Sequence, residues 1–121
     1  MKKIKLSKIP SNPTFKSDQT HISIVFVRIS PEWYALPTEK RLKMTMSHIE
    51  QMSPHLKRVA RTAISSTGSS KYDHIEILEA ESMEPITRAL RDFKAGAKAK
   101  YMDIVDVVSG VKGIRELVEM K

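Results

Sequence analysis

Cysteine is absent from the chain's 121 residues, which removes disulfides, thiolate ligation of iron and cysteine catalysis together. No stretch approaches the roughly 20 apolar residues of a membrane-spanning helix, so no membrane partner is expected. The four histidines, His21, His48, His55 and His74, show none of the close spacings that build a zinc site. Glycine occurs only four times, and Gly110-Val111-Lys112-Gly113 is too short for a phosphate-cradling loop. Aromatic residues are few, and no strand presents the paired rings that stack bases, so nucleic acid is not the expected partner. The start, Met1 to Ile9, is basic but has no apolar block behind it and does not read as a secretion signal. With cysteine also missing, the expected compartment is the cytoplasm.

Positive charge, by contrast, is plentiful. Lys and Arg number 21 against 14 Asp and Glu, giving a net charge of +7 and a pI near 9.7. That balance suits anionic partners, among them small oxyanions or a haem with its two propionates. Four of the basic residues fall in the first eight positions, so part of the excess belongs to a tail. Residues 1–18, with Pro10 and Pro13 in a polar setting, read as a basic flexible arm. Residues 19–121 read as one domain with one core.

Within that domain the first element is a strand, His21 to Ile29, rich in β-branched residues. Both of its alternating sets are apolar: Ser23, Val25, Val27 and Ile29 on one side, Ile22, Ile24 and Phe26 on the other. Pro31 ends it. Pro37 suits a helix start, and Thr38 to about Met52 reads as a helix that Ser53-Pro54 stops, with Leu42, Met46, Ile49 and Met52 in its apolar stripe. Leu56 to Ser66 and Tyr72 to Ala80 read as a hairpin around Thr67-Gly68-Ser69-Ser70. A second helix has Ser82 as N-cap, Pro85 in its first turn and Gly96 at its end. Lys100 to about Ser109 is the fourth strand, in which Val105 and Val107 oppose Ile104 and Val108, and a short piece follows at 113–119. The order β-α-β-β-α-β is that of an α+β, ferredoxin-like domain. Two helices cover one sheet face only, so the other apolar face calls for a second copy, a homodimer closing into an α+β barrel.

Two residues stand out chemically. His48 shares a helix face with Met44 and Met52; such a histidine caps a core, faces water or serves as a ligand. Arg61 alternates with Val59 and Ala63 in mid-strand, where a bare guanidinium is costly to bury. It belongs either at a sheet rim, or beside a carboxylate such as Glu76 or Asp106, or in a site. The acidic run Asp73, Glu76, Glu79 and Glu81 alternates faces and reads as solvated.

Trp33-Tyr34-x-Leu36-Pro37-x-Glu39-x-Arg41, followed by His48 and Thr67-Gly68, resembles the C-terminal, haem-binding domain of the chlorite dismutase family. That family includes chlorite-decomposing enzymes and coproheme decarboxylases. The resemblance runs from about Val25 to Gly113 and implies a dimeric α+β barrel. It further implies haem b as cofactor, with His48 as the ligand to its iron and Trp33 near the haem edge. Arg61 falls at the place of the distal arginine of the chlorite-decomposing members, where decarboxylases commonly carry glutamine. The decarboxylases' first-strand tyrosine is replaced by Val25 or Phe26, which disfavours decarboxylation. A carboxylate that orients the haem histidine is expected near Arg91 to Lys94, where Asp92 is the candidate. Full-length members have two such domains per chain. The sequence also resembles the single-domain darcynin group, in which the tryptophan-leucine-proline motif occurs.

The reading that follows is a haem-dependent oxidoreductase decomposing chlorite or turning over another small anionic oxidant. Two alternatives remain: a cofactor-free dimeric barrel without enzymatic activity, and a monooxygenase-type enzyme on the same barrel. The volume between the first helix and the sheet separates the haem reading from the cofactor-free one. Met44, Met46, Met52 and Phe93 would leave no room for a porphyrin if they filled it.

Overall fold

The first strand, β1, runs His21–Ile29 within residues 12–15, 20–68 and 71–112, which the computed structural model describes. It holds the centre of a four-stranded antiparallel sheet together with β3, His74–Ala80. The edges are β2, Ala60–Ser65, and β4, Met102–Val111, giving the order β2-β3-β1-β4. Helices α2, Thr38–Met52, and α3, Met83–Ala95, complete the ferredoxin-like order that the sequence predicts.

Several boundaries differ from expectation, each for a local reason. Pro31 does more than end β1: with Ser30 accepting from the Glu32 N–H at 3.2 Å, it starts a one-turn helix α1, Pro31–Ala35. β2 begins at Ala60 rather than Leu56, because Pro54 sits in the first turn of a 3₁₀ helix, Ser53–Lys57. β4 begins at Met102, since Ala97–Tyr101 forms another 3₁₀ helix. Residues 69–70 of the hairpin turn and the terminal piece at 113–119 lie outside the described residues.

Ser23, Val25 and Val27 of β1 are buried against the helices with Val59, Leu78, Ala80 and Ile86, forming the core. A bulge changes the reading of β4. Phe26 pairs with Asp106 and Val27 with Ile104, leaving Val105 as the extra residue. Ile104 and Val107 therefore share the helix-side face, while Val108 turns with Ile24 to the other.

The two long helices meet the sheet differently. α3 buries Pro85, Ile86 and Ala89, and Ile86 is fully enclosed. α2 buries no residue completely, because a cavity separates its Ile49 and Met52 from the sheet beneath. Gln51 nevertheless ties α2 to α3, its Nε2 donating to the Asp92 carbonyl at 2.7 Å. Gly96 is the C-cap of α3, and a Cβ at that position would lie 2.5 Å from the Gln51 amide oxygen, so a larger residue would displace that side chain.

Among the described residues, no helix covers the outer sheet face. Ile22, Ile24 and Phe26 of β1 lie there beside Ile75 and Ile77 of β3, with Ile64 and Val108 on the flanking strands. Ile64 is 43% exposed and Val108 52%. No helix among the described residues is long and apolar enough to cross a membrane.

Candidate functional site

The cavity between α2 and the sheet measures about 170 Å³. His48, Ile49 and Met52 reach it from α2, Val25, Val27 and Leu78 form part of its floor, and Leu90 and Phe93 approach from α3. His48 and Arg61, thirteen residues apart, both line it, one from the helix and one from the sheet. The space is thus not filled by methionine and phenylalanine: Met52 and Phe93 are wall residues, and Met44 lines a separate opening.

His48 is half-buried, and its ring meets Phe93 edge to face with centroids 5.6 Å apart. Burial, then the positive charges of Lys98 and Arg61, push its pKa from the usual 6.5 down to about 4, with Glu76 opposing. At neutral pH the imidazole is therefore uncharged, the form that binds metals. No described residue hydrogen-bonds its ring nitrogens. Asp92, the candidate carboxylate for His48, instead bonds His55, whose Nε2 lies 2.6 Å from Asp92 Oδ2.

Arg61 combines two of its expected settings. It lies on the edge strand β2, partly exposed, and its guanidinium forks onto Glu76, Nε at 2.7 Å and Nη2 at 2.5 Å. His74 Nε2 shares the same Glu76 carboxylate at 2.8 Å. Burial alone would raise the Glu76 pKa, but the His74 and Arg61 hydrogen bonds and charges outweigh it and hold the carboxyl below its usual range. The Asn12 side chain bonds both backbone groups of Arg61 at 3.0 Å, fixing the strand behind it.

Trp33 is not brought to this pair. It is buried, 8% exposed, with its ring 5.7 Å from Tyr101 and the Lys98 ammonium 5.1 Å above it. Its link to the site runs through Lys98, which with Lys40 and Lys43 lines a second opening of about 330 Å³ that also borders His48. Burial, then Arg61, lowers the Lys98 pKa, with Glu76 opposing.

Two lining residues escaped the sequence reading. His55 stands seven residues from His48, but Ser53-Pro54 ends α2 between them and His55 lies in the following 3₁₀ turn, so periodicity does not place the two together. Lys98 lies in a 3₁₀ turn that carries no sequence periodicity. Among the described residues no cluster of three or more His, Asp or Glu could hold a bare metal ion.

The donor chemistry nonetheless fits a tetrapyrrole iron. A neutral imidazole, with no hydrogen-bond partner among the described residues, borders an apolar slot on one side and a lysine-lined opening on the other.

Comparison with known proteins agrees with the architecture. An arginine-to-lysine variant of chlorite dismutase from Candidatus Nitrospira defluvii superposes with a TM-score of 0.81 at 21% identity, covering 98% of this chain and 54% of that one. The imidazole complex of the same organism's chlorite dismutase gives 0.77 at 22% identity, covering 88% and 46%. The chain thus spans about half the length of the solved chains it matches. No curated protein matches it in sequence. The family model described as chlorite dismutase matches residues 6–112, nearly the whole chain. The chain belongs to the chlorite dismutase family.

Proposed function

We propose that the protein binds haem b through His48 and turns over chlorite, or another small anionic oxidant, beside Arg61. The observation that carries this reading is the pair itself: an uncharged histidine from a helix and an arginine from the sheet lining one cavity. His48 offers its lone pair at neutral pH without first losing a proton. Arg61 holds an incoming anion and stabilises a leaving oxyanion. Lys40, Lys43 and Lys98, which line the opening beside His48, would supply positive charge to the cofactor's acidic groups. The iron, when bound, supplies the redox chemistry. Because no described carboxylate orients His48, its imidazole is a weaker donor than one so partnered.

The same reading includes self-association. The outer sheet face, uncovered by any described helix and with Ile24, Phe26, Ile75 and Ile77 at its centre, favours a homodimer closing face to face.

Titrating haem into the protein and into His48→Ala tests the cofactor assignment. A sharp, saturable Soret band in the wild type alone is expected, and identical weak spectra from both would refute it. A cofactor-free reading has one observation in its favour: a cavity of about 170 Å³ is the size of a single-ring guest.

A further inference from the structure

The cavity holds a second imidazole that haem binding through His48 leaves unused. The His55 side chain is 18% exposed, lines the cavity and bonds Asp92 on α3 at 2.6 Å. A carboxylate accepting from Nε2–H fixes the neutral tautomer whose lone pair sits on Nδ1. No described residue bonds Nδ1.

The guest's chemistry follows from the walls. Val25, Val27, Met52, Leu78, Leu90 and Phe93 are apolar, and the volume of about 170 Å³ is close to that of an engineered cavity, about 150 Å³, which takes benzene. The polar residues that line this space are His48, His55, Arg61, Glu76 and Ser53, whose hydroxyl donates to the Ile49 carbonyl at 2.6 Å.

We propose that the haem-free cavity binds a phenol, a single aromatic ring carrying a weakly acidic hydroxyl, and that His55 accepts its proton. The phenol O–H bond breaks, an N–H bond forms at Nδ1, and the electron pair stays on the oxygen as phenolate. Asp92 then faces the imidazolium, and Arg61 is the cation available to the phenolate. The Glu76 charge is already engaged by Arg61 and His74. Nothing is oxidised or reduced. This inference concerns the chain without haem and does not rest on the haem assignment.

Spectrophotometric titration of the full haem-free chain with 4-nitrophenol tests it, because the phenolate has its own absorption band. Saturable binding is expected, with the bound probe showing about tenfold more phenolate than free probe at the same pH. His55→Gln should abolish that enrichment. Asp92→Asn should do so as well, by releasing the tautomer while preserving the side-chain volume. Should His55→Gln fail to fold by circular dichroism, Asp92→Asn decides. No saturable binding, or equal phenolate enrichment in wild type and the folded variants, would overturn the proposal. The Soret result for His48→Ala is independent of each outcome, so failure of one reading is distinguishable from failure of the other.

Discussion

The Arg61 guanidinium grips the Glu76 carboxylate through two donors while still lining the cavity that His48 faces. An anion entering that cavity meets a cation whose charge is already partly engaged. Glu76→Gln should therefore strengthen binding of a small oxyanion. The pair is partly exposed, so the gain should be about 1 kcal/mol or less, a factor of up to roughly five. Calorimetric titration with nitrite checks this; unchanged or weaker binding by Glu76→Gln would show that Glu76 does not restrain Arg61.

The unequal seating of the two long helices predicts unequal costs of truncation. Ile86 is fully enclosed beneath α3, and Ile86→Ala should cost about 2–5 kcal/mol. Ile49 borders the cavity and is only half-buried, so Ile49→Ala should cost roughly 1 kcal/mol. Urea denaturation of both variants makes the comparison, and equal losses would mean that α2 is packed as tightly as α3.

The open sheet face predicts association. Ile77 lies at its middle, paired with Ile24 on one side and Thr62 on the other. Ile77→Glu places a charge where a second sheet would need apolar contact. Light scattering should find a dimer for wild type and a monomer for the variant; a monomeric wild type would remove the barrel from the account.

Acid should act through His48. Its folded pKa, about 4, lies below the usual 6.5, so between these values the unfolded chain binds more protons than the folded one. The stability it contributes is fully present above pH 6.5 and is lost as pH falls towards 4. Thermal melts across this window should show a smaller acid loss in His48→Gln than in wild type, and parallel curves would contradict the assigned burial.

Much of this architecture was legible because punctuation agrees with periodicity. β1 is bounded by Pro31, α2 lies between Pro37 and Ser53-Pro54, and α3 between Ser82 and Gly96, all where those residues place the ends. The short helices at Pro31–Ala35, Ser53–Lys57 and Ala97–Tyr101 are too brief to carry a pattern. The bulge at Val105 inverts part of β4's alternation, and no residue there announces it. At the site, the family resemblance singled out His48 and Arg61, and both line one cavity. The choice of Asp92 for His55, and the burial of Trp33 against Tyr101, depend on how α3 and the 3₁₀ turn dock, which is tertiary information.

Resonance Raman spectroscopy of the ferrous, haem-loaded protein tests the central claim most directly, because the iron–imidazole stretch reports the axial bond itself. The account predicts this band in wild type, its loss in His48→Ala and its retention in His55→Gln. An iron–imidazole band that persists in His48→Ala would contradict it.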